Sequence, residues 1–468
     1  MERGRPARTT RNLFRRLPIR ESVQSLFPRR PFPSPYNALS SGRLVARHVE
    51  LRRIRTVSIL SRYVELHPGS RRLSERALAI FPDGVTHDMR RNSPFSLYVA
   101  RAARSRKWDV DGNELVDYVM GHGALLLGHN HPDIMAAVEA QARLGTHYGA
   151  SHELEIRWGE LVQRLVPSAQ RLRFTSSGTE ATMMAIRLAR AYTGREKVLR
   201  LRDHFHGWND SVTGQPAAEQ TVPSSPGLPH GILAASIVIP QNDIDVLERT
   251  VREDGGAIAA IILETTGAHW GTDPIDRAYV ERARELTSQH GIILIFDEVI
   301  TGFRVSPGGA QLAYGITPDM TTMAKIVAGG LPGGCVAGRE EIIGQIAVRD
   351  DAGERIAHPG TFNANPLSAA AGSACLSIIS DGSHQDRAAA TAASLARGMN
   401  AVFREESLAG CVYGVSSMLH IALGMAAQPP DGYSWGWRAL PKAAPHVSRA
   451  AAQALRLGMI NEGVDLMG

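Results

Sequence analysis

Two hydrophobic periods alternate along most of the chain. Continuous apolar runs at residues 257–263 and 292–296 predict strands that are covered on both faces. Other segments have apolar residues at the three- and four-residue spacing of a helix. The clearest example would place six residues on one buried helix face: Ala181, Met184, Ala185, Leu188, Ala189 and Tyr192. Alternating helices and strands are typical of an α/β fold with a mainly parallel sheet.

The regular part of the chain begins at about Leu73. Residues 108–113 read Trp-Asp-Val-Asp-Gly-Asn, which predicts a tight turn between two short strands. We expect residues 119–370 to form a large domain around the parallel sheet. Residues 57–118 and 371–468 are expected to form a smaller α+β domain from both ends of the chain.

The positive charge is concentrated at one end of the chain. Residues 1–56 contain 14 Arg and three acidic residues, a net charge of +11, whereas residues 57–468 carry −5. The body is therefore mildly acidic, which argues against nucleic acid as its partner. For residues 1–56, a basic extension that is expected to be disordered, three interpretations stay open: a transit-type peptide, a basic arm, or translation read from too early a start.

Two further features of composition bear on location. No apolar run approaches the roughly 20 residues that span a bilayer, so no membrane association is expected. The three cysteines, Cys335, Cys375 and Cys411, are widely spaced and odd in number. They fit free thiols in a reducing compartment, and we expect the protein to be cytoplasmic.

A lysine and an aspartate suggest the chemistry. Lys325 lies among small residues, 28 positions after Asp297, which ends a strongly apolar strand. Pyridoxal phosphate needs a lysine amine to form a Schiff base and a carboxylate to keep its pyridine nitrogen protonated. Most lysines are only solvated surface charges, so this pair needs support from the rest of the chain.

A possible phosphate site precedes the amphipathic helix. Residues 175–180 read Thr-Ser-Ser-Gly-Thr-Glu between a predicted strand and that helix. Gly178 permits close approach of a ligand, and the helix N-terminus offers free N–H groups to an anion. Ser177 and Thr179 add hydroxyl donors. Taken separately, the motif reads equally as an ordinary helix cap.

Other candidate residues follow predicted strands. Phe205 could stack on a flat cofactor, although it could also be an ordinary core aromatic. Glu264 and Asp297 each end an apolar strand, where open α/β sheets bind ligands. Val299 lies two residues beyond Asp297 and could pack against the ring. Thr361, in the loop 359–366, could donate a hydrogen bond to a phosphate.

The combined motifs resemble one enzyme family from about Leu73 to the end of the chain. They read Arg-Phe-Thr-Ser-Ser-Gly-Thr-Glu-Ala-Thr at 173–182, Phe-Asp-Glu-Val-Ile-Thr-Gly-Phe-Arg at 296–304, Ala-Lys-Ile-Val-Ala-Gly-Gly-Leu-Pro at 324–332 and Gly-Thr-Phe-Asn-Ala-Asn-Pro at 360–366. In these motifs the chain resembles the class III pyridoxal phosphate-dependent aminotransferases of fold type I. The resemblance implies a large domain with a seven-stranded, mainly parallel sheet.

The resemblance also assigns roles to residues. It implies that Lys325 forms the Schiff base and catalyses the 1,3-proton shift, and that Asp297 faces the pyridine nitrogen. The implied cofactor-binding set is Ser177, Gly178, Thr179, Phe205, His206, Glu264, Asp297, Val299, Lys325 and Thr361. Thr361 would reach the phosphate of a neighbouring subunit, so the resemblance implies a homodimer with shared active sites.

The substrate side leaves alternatives open. The implied partners are a small-molecule amino donor and a carbonyl acceptor. Arg90 falls where glutamate-1-semialdehyde aminomutases hold a substrate carboxylate, which keeps intramolecular amino transfer as an alternative. Residues 85–88 and 121–124 depart from the aminomutase pattern and look more like D-phenylglycine aminotransferases.

A third alternative concerns the end of the chain. The sequence stops at Gly468, whereas family members continue through a closing part of the small domain. We therefore expect a truncated small domain with exposed apolar surface. An inactive cofactor-binding remnant is the corresponding alternative function.

Overall fold

The computed structural model describes residues 59–213, 226–348, 355–424 and 449–467, so the predicted basic extension 1–56 lies outside it. The strands, numbered in chain order, are β1 (Val99–Ala103), β2 (Arg106–Asp109), β3 (Glu114–Asp117), β4 (Arg171–Thr175), β5 (Lys197–Leu201), β6 (Ser236–Ile239), β7 (Ile258–Glu264), β8 (Asp273–Pro274), β9 (Ile293–Asp297), β10 (Met320–Ala324), β11 (Gly334–Gly338), β12 (Gly410–Val415), β13 (Met418–Leu423) and β14 (Val464–Asp465).

Helices separate most of these strands. Residues 59–66 are helical, and the further helices of five or more residues are α1 (Pro68–Leu78), α2 (Pro132–Leu144), α3 (Glu153–Leu165), α4 (Gly178–Thr193), α5 (His230–Ala234), α6 (Ile244–Asp254), α7 (Arg277–His290), α8 (Gly309–Tyr314), α9 (Pro366–Ile379), α10 (Ser383–Glu405) and α11 (Arg449–Asn461). Within the described ranges, no helix combines the length and apolar content needed to cross a membrane.

Seven strands form the large sheet, in the order β4-β11-β10-β9-β7-β5-β6. Neighbours from β10 to β6 are parallel, and only β11 runs antiparallel to both of its neighbours. Strands β7 and β9 are buried along their whole length, because helices cover both faces of the sheet. The predicted seven-stranded, mainly parallel sheet is confirmed.

The amphipathic helix α4 lies on this sheet. Five of its six predicted core residues are buried, from Ala181 to Ala189. Tyr192 is 41% exposed, contrary to the prediction. It lies in the last turn of the helix, one residue before α4 ends at Thr193 and the chain turns away through Gly194.

A smaller sheet brings the two ends of the chain together. Its order is β1-β2-β3-β14, and the late strand β14 pairs in parallel with β3. Lys107 on β2 contacts Asp117 of β3 and Asp465 of β14. The predicted turn after Trp108 joins β2 and β3, with Gly112 at a φ of 88°.

Helix α9 packs against the large sheet. Its residues Cys375 and Leu376 share a core with Trp158 and Phe174. The indole Nε1 of Trp158 donates to the carbonyl of Val327 at 2.8 Å, close to the Lys325 segment. The predicted domain boundary after residue 370 falls inside this helix, so the division into domains stays a prediction.

Candidate active site

The predicted strand-end residues meet at one edge of the large sheet. Glu264 ends β7, Asp297 ends β9 and Lys325 directly follows β10. Glu264 and Asp297 are register partners, and Asp297 is in turn the partner of Thr322 on β10. They open onto a cavity of about 390 Å³, whose other walls include Ser177, Gly178, Thr179, Phe205, His206, Trp270, Val299, Thr301, Leu331 and Pro332.

The segment between β4 and α4 forms a cradle for an anion. The Ser177 hydroxyl accepts from the Glu180 backbone N–H at 3.2 Å, and the Glu180 carboxylate accepts from the Ser176 N–H at 2.7 Å. This reciprocal capping fixes the start of the helix. A Cβ on Gly178 would lie 2.9 Å from Cγ2 of Val299, so the close packing requires glycine. The cradle fits a phosphate.

Lys325 occupies a half-buried, constrained position. Its φ is 55°, in the left-handed region, and the backbone turns again through Gly329 and Gly330. Burial lowers the pKa of the Lys325 amine, and the nearby guanidinium of Arg304 acts in the same direction. The carboxylates of Asp297 and Glu264 oppose this shift. A lysine with a lowered pKa is more often neutral and can act as a nucleophile or a base.

Asp297 is buried and held in one orientation. Its Oδ2 lies 2.7 Å from Nδ1 of His206, while its Oδ1 accepts from the Val299 N–H at 3.1 Å and from the Thr322 hydroxyl at 3.3 Å. The Nε2 atom of His206 is buried without a hydrogen-bond partner among the described residues. An acid presented in this way fits the cationic pyridine nitrogen of pyridoxal phosphate, whose phosphate the cradle would hold.

Glu264 is stabilised differently from Asp297. Its carboxyl accepts three backbone N–H groups, from Phe205 at 2.7 Å, Trp270 at 2.8 Å and His269 at 3.2 Å. Burial, together with the neighbouring charge of Asp297, raises the pKa of Glu264 to about 8, although the three backbone donors act in the opposite direction. Glu264 therefore shapes the cavity by fixing the loop 265–272 to strand β7.

Of three further predicted residues, one lines the cavity and two lie outside its lining. Phe205 lines the cavity but is 57% exposed. Thr361 is exposed and does not line the cavity, and its carbonyl accepts from Nε2 of His147 at 2.8 Å. Arg90 is also outside the cavity lining, with its Nη1 donating to the Thr86 hydroxyl at 3.0 Å. Their predicted roles at a cofactor or substrate stay predictions.

The sequence reading missed two residues of the site. Trp270 lines the cavity from a loop in which His269 and Trp270 have φ values of 48° and 50°. Arg304 is buried next to Lys325, donates to the Gly123 carbonyl and donates to the Ser417 hydroxyl at 2.9 Å. Burial lowers the pKa of Arg304 to about 10. Arg304 could have been found from the motif at 296–304, in which it lies seven residues after Asp297.

Comparisons with known proteins agree with this site. The family model described as Aminotransferase class-III matches residues 88–430. A glutamate-1-semialdehyde 2,1-aminomutase from Methanopyrus kandleri is 39% identical over 366 residues, which cover 78% of this chain and 84% of the relative.

Solved structures give the same result. An omega-transaminase from Sphaerobacter thermophilus superposes with a TM-score of 0.72 at 37% identity, covering 76% of this chain and 83% of that one. A glutamate-1-semialdehyde aminomutase from Pseudomonas aeruginosa gives a TM-score of 0.77 at 26% identity, covering 88% and 91%. A further neighbour is described as a transaminase with PLP bound. The chain belongs to the class III aminotransferases, enzymes that transfer amino groups with pyridoxal phosphate.

Proposed function

We propose that Lys325 is the residue of this chain that carries amino-group transfer between a small-molecule donor and a carbonyl acceptor. The observation behind the proposal is its position: a half-buried lysine with a lowered amine pKa, directly after β10 and in the same cavity as Asp297. Ser177, Gly178 and Thr179 would hold the cofactor phosphate, and Asp297 would hold the pyridine nitrogen. When bound, pyridoxal phosphate supplies an aldehyde that captures amines and a ring that accepts electrons.

The residues around the cavity then have distinct tasks. Lys325 would hold the cofactor, and its neutral amine, once released, would accept a proton from the substrate's amine-bearing carbon and carry it through the 1,3-shift. Asp297, fixed by His206 and Thr322, would pair with the pyridine nitrogen. Val299 packs on Gly178 and closes one wall of the cavity.

Intramolecular transfer is the second candidate function. It is favoured by the aminomutase relatives at 39% and 40% identity and by the place of Arg90 in the sequence motif. Transfer between two molecules is favoured by residues 85–88 and 121–124, which differ from the aminomutase pattern. The two functions differ in one requirement, because only transfer between molecules depends on an added acceptor.

We further propose that the enzyme is a cytoplasmic homodimer. The side chain of Thr361 is exposed and lies outside the cavity of its own subunit, as expected of a residue that completes the site of a second copy. All three cysteines are buried and none of them is in a disulfide, which fits a reducing compartment.

The test is a titration of the cofactor-loaded protein with candidate donors. Glutamate 1-semialdehyde and then D- and L-amino acids are added, while the visible absorption of the bound cofactor is recorded. We expect one class of donor to bleach the band, and Lys325→Ala to slow this by more than about 1,000-fold while still binding cofactor. Full activity of Lys325→Ala would contradict the proposal, and a band that no donor changes would favour the inactive remnant.

A further inference from the structure

Two histidines from a distant segment hold the loop 359–366, which carries Thr361. The Nε2 atom of His147 donates to the Thr361 carbonyl at 2.8 Å, and the Nε2 atom of His152 donates to the Ala364 carbonyl at 2.9 Å. These hydrogen bonds join residues that are 214 and 212 positions apart. The position of the loop is therefore set by the turn between helices α2 and α3, in which both histidines lie.

Each of the two rings is fixed in one tautomer. The Nδ1 atom of His147 accepts from the Gly149 backbone N–H at 3.2 Å, and that of His152 accepts from the Glu155 N–H at 3.2 Å, which also caps helix α3. A neutral imidazole that accepts at Nδ1 carries its hydrogen at Nε2, and Nε2 is the atom that faces the loop in both cases. Both rings are therefore oriented as donors to the loop carbonyls.

The loop needs this external support. Thr361 and Phe362 are exposed, and Ala364 has a φ of 51°, in the left-handed region. A residue other than glycine keeps such a conformation only where surrounding contacts impose it. The His152 hydrogen bond reaches Ala364 itself, and the His147 ring packs edge-on against Phe362, with ring centroids 5.4 Å apart.

The same contacts leave the Thr361 hydroxyl available. The Thr361 carbonyl is bonded to His147, whereas its hydroxyl makes no hydrogen bond within the described ranges. The side chain is exposed and lies outside the cavity of its own subunit. A hydroxyl on a backbone that is already fixed can donate to a phosphate oxygen with little further loss of entropy.

We propose that His147 and His152 are positioning residues, which hold Thr361 in place to bind the phosphate of pyridoxal phosphate in the site of a second copy of the chain. The inference deepens and rests on the proposed function, because it explains how the loop is prepared for the contact that Thr361 would make. Neither histidine lines the cavity of its own subunit, so each acts through the backbone of the loop.

The test compares two ligands that differ only in the phosphate. Full-length protein freed of cofactor is titrated with pyridoxal phosphate and with pyridoxal, and binding is followed by the visible absorption of the bound ligand. His147→Ala removes the donor, whereas His147→Gln keeps an N–H group at about the position of Nε2. Gln163→Ala is the matched control, because it removes an exposed side-chain donor to a different loop carbonyl, that of Gln170, at 2.7 Å.

We expect His147→Ala to weaken the binding of pyridoxal phosphate by roughly three- to tenfold, as for the loss of one hydrogen bond, and to leave the binding of pyridoxal unchanged. His147→Gln should recover most of the affinity, and Gln163→Ala should bind both ligands as wild type does. Equal weakening for the two ligands, or no weakening, would overturn the proposal.

A double variant tests whether His147 acts through Thr361. Thr361→Val removes the hydroxyl and keeps the shape of the side chain, so it should weaken the binding of pyridoxal phosphate alone. Adding His147→Ala to Thr361→Val should then cost no further affinity, because both changes remove the same contact. Losses that add in full would overturn the proposal, as would an unchanged affinity of Thr361→Val.

A second variant keeps the test decisive if His147→Ala does not fold. His152→Asn retains a favourable cap for helix α3, but its shorter side chain withdraws from the Ala364 carbonyl. It should weaken the binding of pyridoxal phosphate alone, by a smaller factor, since Ala364 lies three residues from Thr361. An unchanged ratio of the two affinities would contradict the positioning role.

Failure of the proposed function itself looks different. The wild-type protein would then transfer no amino group from any donor and would bind both ligands alike, and that result would overturn both proposals. Failure of the positioning role alone leaves wild-type binding and amino transfer intact.

Discussion

The two sides of the cavity are built in different ways. The cofactor side consists of strand ends and one helix start, which place Asp297, Lys325 and Ser177 by the regular geometry of a parallel sheet. The other side consists of two left-handed segments, one containing His122 and one containing Trp270. The strand ends bring the first set of residues to one edge, where His206 then holds Asp297, whereas the second set depends on hydrogen bonds from other parts of the chain.

Those hydrogen bonds come mostly from one hairpin. Tyr413 of β12 donates to the Thr272 carbonyl at 2.6 Å, and its register partner His420 of β13 lies 3.3 Å from the Trp270 carbonyl. At the tip of the hairpin, Ser417 accepts from Arg304. The comparison indicates that the residues proposed to bind the cofactor depend on the sheet, while the loop that contains Trp270 depends on the packing of the hairpin.

The largest effect we expect is a pH dependence from Glu264. Its pKa rises from 4.5 to about 8 on folding, so the folded chain holds a proton that the unfolded chain releases between these values. The contribution of Glu264 to the free energy of unfolding is therefore largest below pH 4.5, and it decreases as the pH rises towards 8. The loss is on the order of 5 kcal/mol, at about 1.4 kcal/mol per pKa unit.

Denaturant unfolding of wild type and Glu264→Gln at pH 5 and pH 8.5 measures this effect. Glutamine cannot ionise, so the variant should lose less stability between the two pH values. At pH 5 the Glu264→Gln variant should be less stable than wild type. Its amide NH₂ group is a donor and would face the Trp270 N–H, which in wild type donates to a carboxyl oxygen. Parallel pH curves for the two proteins would show that Glu264 does not titrate in this range.

The next effect concerns the cradle. Gly178→Ala places a Cβ 2.9 Å from Cγ2 of Val299, and such overpacking costs about 1–3 kcal/mol. We expect cofactor affinity to fall by roughly tenfold to a hundredfold. Val299→Ala in the same chain should restore much of it, as measured by titration with cofactor.

The control for the cradle is Gly159 in helix α3. A Cβ there meets only Leu172 at 3.9 Å, so Gly159→Ala should be neutral or stabilise the helix by up to about 1 kcal/mol. If Gly159→Ala and Gly178→Ala bind the cofactor with the same affinity, the close packing at Gly178 does not affect cofactor binding.

The smallest effect that we expect concerns the left-handed segment that contains Trp270. His269 is exposed, and its contact with Glu264 is made by the backbone N–H, which glycine retains. His269→Gly should relieve the left-handed strain and stabilise the protein by about 1 kcal/mol at most, because glycine also loses more entropy on folding. His290→Gly, at the end of the right-handed helix α7, should instead be destabilising in thermal unfolding. A loss of stability in His269→Gly would mean that its side chain is needed there.

The same contrast explains what the sequence could predict. Apolar runs located β7 and β9, and their last residues, Glu264 and Asp297, had to meet because parallel strands end at one edge. Trp270 could not be predicted in this way. Its position depends on left-handed backbone and on Tyr413, 143 residues away, and neither leaves a local pattern.

Some side chains were predicted in part. His206 was found through its motif, but its hydrogen bond to Asp297 joins residues 91 positions apart. Arg90 was predicted at a substrate carboxylate, and the segments at 85–88 and 121–124 were recognised as departures from the aminomutase pattern. The stacking of His87 on His122 follows only from the folded structure.

The bridge made by Arg304 has a consequence for the order of assembly. Its two hydrogen bonds span 181 and 113 residues, so they require both the large sheet and the distant hairpin to be in place. The cradle at Ser177 needs only a strand and the helix that follows it. Long-range contacts bear the cost of closing long loops and form late. We therefore expect a newly made chain to form its cofactor-binding half before the side of the cavity that Arg304 holds.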